Sequence, residues 1–308
     1  MDNVSLTDTE VFPASTSNQK ATSTISSLVE VDLGGLSDPG KTRPNNEDTF
    51  FVARFDRAMQ TLMTNLPLGE YPDTSHETGY GMVVADGMGG HAAGEVASRT
   101  AVRVLLDLVL QTPDWIMRLD DQWADQIFRR TEQRVQAIQE VLTNDAKEHA
   151  SLTGMGTTLT LACSVGAELL VAHVGDSRAY LMREGQLRRL THDQTVAQAM
   201  VDAGIISVED AAQHRMRHAL TGVLSTGKGK VPVEFGRFQL ADGDQVLLCT
   251  DGLTEMISEA ALAEVLRQPG TSDKICRTLV NAALQAGGKD NVTVILARYR
   301  FPANSTPM

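Results

Sequence analysis

A chain of 308 residues, 42% apolar and 21% charged, can bury a sizeable core and has the balance of a globular protein. Its formal net charge of −12 argues against nucleic acid and anionic membranes as partners, and 5% aromatics against stacking on single strands. The acidic excess reads as solubility, with cation binding by some of the carboxylates left open.

Residues 1–27 are rich in Ser and Thr and poor in large apolar side chains. Burial cannot offset the entropy of ordering such a segment, so a disordered tail is expected. It lacks the basic-then-apolar order of a signal peptide. One domain over 28–300 follows, and 301–308 read as a second tail. Residues 49–55, rich in β-formers, predict a strand. Residues 56–78 are mostly polar, carry Pro67 and Pro72, and predict an insertion loop. Residues 81–85 predict a buried strand ending at Asp86. Apolar spacing predicts helices over 92–110 and 115–149. Strands are expected over 157–164, 168–174 and 178–182, then a turn at Glu184-Gly185-Gln186 into 187–191.

Residues 193–221 read as helical and irregular. Strands over 231–239 and 245–250 are separated by Asp242-Gly243, a hairpin signal. Helices over about 258–267 and 272–286 precede a last strand over 291–299. Strands and helices arriving in blocks predict an α+β protein, with layered antiparallel sheets covered by helices. No apolar run is long enough to span a membrane. Cys163, Cys249 and Cys276 lack metal-ligand spacing and read as core residues of a cytoplasmic protein.

The chemistry lies at strand ends. Asp48, with Glu47 beside it, precedes the first strand. Asp86 and Asp251 each end an apolar run and precede a glycine, Asp176 follows another, and Asp290 precedes the last. Each Asp alone could be a turn former or a helix cap. Together, if the strand ends converge, they gather charge that needs cations, and oxygen-only ligands select Mg²⁺ or Mn²⁺. Arg43 could grip a phosphate bidentately, or be an ordinary surface charge.

With these residues in place the chain resembles the metal-dependent type-2C (PPM) serine/threonine phosphatase family, in its bacterial-type branch. The matching segments are Arg43-Pro44-Asn45-Asn46-Glu47-Asp48, Asp86-Gly87-Met88-Gly89-Gly90-His91, Gly156-Thr157-Thr158, His173-Val174-Gly175-Asp176-Ser177-Arg178, Leu190-Thr191-His192-Asp193, Thr250-Asp251-Gly252-Leu253 and Lys289-Asp290-Asn291-Val292-Thr293-Val294.

The resemblance implies a four-layer α-β-β-α sandwich, two mostly antiparallel sheets flanked by helices, with metals at one end. It implies that Asp86 bridges two metals, that the Gly87 carbonyl joins it on one, and that Asp251 and Asp290 complete that first site. Glu47 and Asp48 would serve the second, and Asp176 with Asp251 a third, weaker one. Arg43 would hold the substrate phosphate. A metal-activated water would attack phosphorus in line, without a phosphoenzyme. The implied partners are phosphorylated proteins, those of a serine/threonine kinase, acted on by a monomer.

Met88 stands where some relatives carry a histidine proposed as general acid, so the proton donor is unassigned. His91 is expected to open a helix and His192 to stabilise a turn. Residues 193–230 correspond to the family's mobile flap, and the run from Ser225 to Lys230 reads as a flexible loop. Two other readings remain: a non-catalytic phosphoprotein-binding module on the same fold, or a hydrolase of small phosphate esters.

Overall fold

The computed structural model describes residues 29–66, 74–89, 93–111, 121–227 and 229–301. The tail expected over 1–27, most of the one expected over 301–308, His91 and the start of the helix expected from residue 115 lie outside them.

Two sheets face each other, and every strand pairing in both is antiparallel. The first has the order β1 (Glu30–Asp38), β12 (Val292–Arg300), β11 (Gln245–Cys249), β7 (Arg178–Arg183), β8 (Gln186–Arg189). The second runs β10 (Glu234–Gln239), β6 (Glu168–Val174), β5 (Leu159–Val165), β3 (Thr74–Met88). β2 (Asp48–Gln60) also pairs with β3, and β4 (Gly156–Thr157) and β9 (Leu224–Ser225) continue its far end.

Three apolar clusters define the layers. Met82, Val84, Leu169 and Val171 of one sheet meet Leu181, Val246, Leu248 and Ile295 of the other. Val83 and Leu159 of the second sheet meet α1 (Ala93–Leu110) and α2 (Asp121–Glu148) through Ala97, Ala101, Leu105, Val135 and Ile138. The first sheet is covered by α5 (Asp251–Thr254), α6 (Glu259–Leu266) and α7 (Ser272–Gln285), whose Ile275, Leu279 and Val280 recur at helical spacing against Leu247, Val294 and Leu296. The order is therefore helix, sheet, sheet, helix, as expected. Each Leu or Ile so buried contributes roughly 1.5–3 kcal/mol. α3 (Val196–Asp202) and α4 (Val208–Gln213) lie in the connection between β8 and β9. Among the described residues no helix is long and apolar enough to cross a membrane.

Four features depart from expectation. The polar stretch read as a loop from residue 56 instead prolongs a hairpin, with β2 running to Gln60 and β3 starting at Thr74. Its far end, at residues 57–60 and 74–76, is exposed, and polar contacts hold it: the Thr78 hydroxyl donates to Asp56 at 2.7 Å, and Arg54 pairs with Asp56 at 3.0 Å. Polar cross-strand pairs support a ribbon that has no core beneath it.

β1 was not expected, because Gly34 and Gly35 weaken a strand pattern. Gly34 is needed there because the Ser272–Asp273 backbone of α7 occupies the space of a side chain. α5 was not expected either; its four residues are too few to carry a periodic signal.

Asp242-Gly243 does not make a hairpin. β10 pairs with β6 and β11 with β7 and β12, so this turn carries the chain from one sheet to the other. Asp244 anchors the crossing. Its carboxylate accepts from Arg183 Nε and Nη2 at 2.9 and 2.7 Å and from the Ala241 N–H at 2.7 Å. The Asp244 side chain is only 1% exposed, so its removal takes a buried charge partner from Arg183, which also donates to the Gln239 carbonyl. Asp244→Ala should cost about 3 kcal/mol in urea denaturation; a loss below ~1 kcal/mol would show that the crossing does not depend on this pair.

Candidate active site

The register of β2 against β3 sets Asp48 directly opposite Asp86. β11 ends at Cys249, two residues before Asp251, and β12 begins two residues after Asp290. Asp176 sits in the turn from β6 to β7. Both sheets thus present acidic residues at one end. There a cleft of about 540 Å³ is lined by Arg43, Glu47, Asp86, Gly87, Asp176, Asp251 and Asp290, together with Met88, Thr158, Arg217, His218, Glu255, Met256 and Lys289. Asp48, buried, lies behind its floor.

Backbone and hydroxyl contacts fix the floor. The Asp86 N–H donates to Thr158 Oγ1 at 2.9 Å, and its carbonyl accepts from the Thr158 N–H and Thr157 Oγ1, each at 2.9 Å. The Gly87 N–H donates to the Glu47 carbonyl at 3.2 Å, which also accepts from Ser98 Oγ at 2.6 Å. A side chain on Gly87 would run into the Gly94 carbonyl of α1, so only glycine lets the strand and the helix meet here. Gly252 likewise lies against the Asn291 carbonyl. Asp48 Oδ2 accepts from Thr250 Oγ1 at 2.8 Å and Thr293 Oγ1 at 2.7 Å, while its Oδ1 is buried without a hydrogen-bond partner.

The electrostatics show a shortage of positive charge. Burial, then the charges of Asp48, Asp251, Asp176 and Asp290, hold Asp86 well above the usual carboxylate range. Burial raises Asp48 to about 7 against the opposing effect of its two threonine hydrogen bonds. Burial, then Asp251 and Asp193, raise Asp176 to about 8. Asp251 is raised by burial and then by Asp290, against the opposing effect of Asp86. Glu47 is raised by burial despite the nearby Arg43. Within the cleft Arg43 is committed to Asp290, with Nη2 donating to Oδ2 at 2.7 Å.

Among the described residues no group of three or more His, Cys, Asp or Glu side chains is arranged, as it stands, to hold a metal ion. The donor set nonetheless fits a hard cation. It is all oxygen, it gathers more negative charge than Arg43 can offset, and it includes the orphaned Asp48 Oδ1.

Sequence reasoning assigned no role to several residues here. Thr158, Thr250, Thr293 and Asn291 orient the acidic groups through hydrogen bonds within the matched segments. Arg217 and His218 reach the cleft from the 193–230 connection and face Glu255 at 3.7 and 3.9 Å. Nothing in their local sequence marks them. His173 is a core residue: burial lowers it to about 4, with Nδ1 at 2.8 Å from Thr160 Oγ1 and Nε2 at 3.0 Å from the Gly175 carbonyl. His192 secures a turn through Asp202 at 2.8 Å. Burial pushes Cys249 and Cys276 up to about 12 and Cys163 to about 11, so none is a ready nucleophile.

A family model described as Protein phosphatase 2C matches residues 72–286. The serine/threonine phosphatase stp of Listeria innocua is 36% identical over 215 residues, 70% of this chain and 82% of that protein. The serine/threonine protein phosphatase PstP of Mycobacterium tuberculosis is 35% identical over 262 residues, 85% of this chain but 43% of PstP, so the chain spans less than half of that relative. The crystal structure of the M. tuberculosis phosphatase PstP/Ppp superposes with a TM-score of 0.70 at 32% identity, covering 88% of this chain and 99% of that one. The catalytic domain of PstP in complex with 2 manganese ions gives 0.67 at 30% identity, with the same coverage. A sandwich with acidic strand ends at one cleft, and these matches across most of its length, place the chain in the protein phosphatase 2C family, as a metal-dependent protein serine/threonine phosphatase.

Proposed function

We propose that this cleft hydrolyses phosphoserine and phosphothreonine in proteins at a centre of two or three Mn²⁺ or Mg²⁺ ions. Asp86, the Gly87 carbonyl, Asp251 and Asp290 would hold the first, Asp86 with Glu47 and Asp48 the second, and Asp176 with Asp251 a weaker third. One observation carries the reading: several carboxylates crowd a partly buried cleft with their protonation forced upward. When bound, the ions supply positive charge against the phosphoryl oxygens and activate a water for in-line attack.

The chain's own groups do the rest. Arg43 orients the phosphate from the rim, where its tie to Asp290 holds it beside the acidic floor. The Thr158 hydroxyl and the Gly87–Glu47 contact keep the floor from shifting as charge moves. Met88 lines the cleft without a proton to give, so the position where some relatives carry a histidine supplies no general acid. The substrates are those of a serine/threonine kinase, and the chain acts as a cytoplasmic monomer. A binding module without catalysis would not need every expected acidic residue, and all are present.

Two outcomes test this. With a phosphothreonine peptide, chelator should abolish phosphate release and Mn²⁺ should restore it, while Asp86→Ala or Asp251→Ala should lower kcat on the order of 10³-fold in a folded protein. Retained activity in either variant would end the assignment.

The second outcome is a pH dependence of stability. In the unfolded chain these carboxyls titrate near 3.8, whereas Asp48 and Asp176 in the folded, chelated protein titrate near 7 and 8. The folded state therefore holds more protons across that window, and chelated protein should lose stability as pH rises from about 4 to 8. Mn²⁺ at about 100 times its dissociation constant should return ~2.7 kcal/mol. Thermal melting of chelated protein that holds constant or rises from pH 5 to pH 8 would contradict the crowding argument.

A further inference from the structure

The segment 39–47 carries groups with different tasks, Arg43 for phosphate and Glu47 for metal. None of it lies in a strand or helix. A loop positions side chains well only when it is tied to a rigid element. Among its ties, three come from one side chain, Asn291, which is 5% exposed and immediately precedes β12. Its Oδ1 accepts from the Glu47 N–H at 2.7 Å. Its Nδ2 donates to the carbonyls of Pro39 at 2.9 Å and Asn45 at 2.8 Å.

One amide therefore meets the loop near its beginning, near its middle and at its end, on both sides of Arg43. The orientation of that amide is determined. Reversed, it would set N–H against the Glu47 N–H and oxygen against two carbonyls. Its chain neighbours reach the same cleft: Asp290 takes Arg43, and Thr293 donates to Asp48.

We propose that Asn291 is a positioning residue that fixes Arg43 and Glu47 relative to Asp290, so that phosphate grip and metal ligands are set as one unit by the start of β12. This rests on the roles given to Arg43 and Glu47 above. Ordinary loop anchoring is the competing account: it would lower stability and leave metal affinity and substrate binding alone.

The test uses the full chain with Asn291→Ala, Arg43→Ala and the double variant. Calorimetry on metal-free protein reads Mn²⁺ affinity, and steady-state assays with a phosphothreonine peptide read kcat and KM. Loss of a residue that orients a metal ligand typically weakens metal binding about 10- to 100-fold. Asn291→Ala should weaken Mn²⁺ binding within that range and raise KM about 10-fold, with a smaller change in kcat at saturating Mn²⁺.

Because Asn291 acts on substrate through Arg43, its removal in the Arg43→Ala background should raise KM less than about 2-fold, a coupling expected of residues that share one contact network. A full 10-fold rise in that background, or unchanged Mn²⁺ affinity and KM with only a lower melting temperature, would overturn the proposal. Should Asn291→Ala fail to fold, Asn291→Asp keeps the shape and the acceptor, loses both donors, and is held to the same thresholds. If wild-type protein binds Mn²⁺ but releases no phosphate, the function assigned above fails while the affinity comparison still judges Asn291.

Discussion

Like charges packed together at the edge of a core repel, and nearly everything distinctive about this molecule answers that repulsion. A lone buried carboxylate would simply take up a proton. Here burial raises Asp48, Asp86, Asp176 and Asp251, and the charge of Asp251 adds to the rise at each of the other three. Two threonine hydroxyls aimed at Asp48 Oδ2 oppose that drift by favouring its ionised form. A site built only for stability would have replaced these groups with apolar ones. Their retention, on a scaffold whose three apolar clusters are otherwise filled by Leu, Ile, Val and Ala, marks the cleft as the place where stability yields to function.

Keeping such a cluster assembled requires a stiff frame. The frame is the sandwich, because the acidic residues come from both sheets and hold their spacing only if the sheets do. The Asp48–Asp86 pairing is set by a long antiparallel register, which a slip of one residue would invert. The Arg183–Asp244 pair fastens β7 to the turn that crosses between sheets. Glycine appears where backbone must approach backbone, at Gly87 against α1 and at Gly252 against Asn291. Packing and catalysis are thus linked through the same few close approaches.

Much of this was legible in the chain. Apolar runs gave most strands and the long helices, because both faces of the inner strands are covered and each helix presents one apolar stripe. The acidic strand ends were legible because Asp is out of place beside such runs. Some of the missed features share a cause, in that a distant partner decides what the local signal cannot. Gly34 of β1 is explained only by α7, which follows it by more than 230 positions. The extended hairpin is polar because nothing packs beneath it, and Asp242-Gly243 looks the same whether the next strand joins its own sheet or the other. Arg217 and His218 escaped notice because reaching the cleft depends on how an irregular connection folds back.

That connection is fastened at its base. The Gln194 N–H donates to the Gly175 carbonyl at 2.7 Å, and the Gly175 N–H donates back to Gln194 Oε1 at 3.1 Å. The Gln194 carbonyl accepts from the Thr221 N–H at 2.8 Å, and a side chain on Gly222 would strike the Gln194 amide. Gly175 adopts a φ of +115°, which a residue with a side chain would resist. It immediately precedes Asp176. One glutamine therefore joins both ends of the segment bearing Arg217 and His218 to the turn that carries an acidic residue of the floor. The position of that segment and that of Asp176 are therefore set by the same hydrogen bonds.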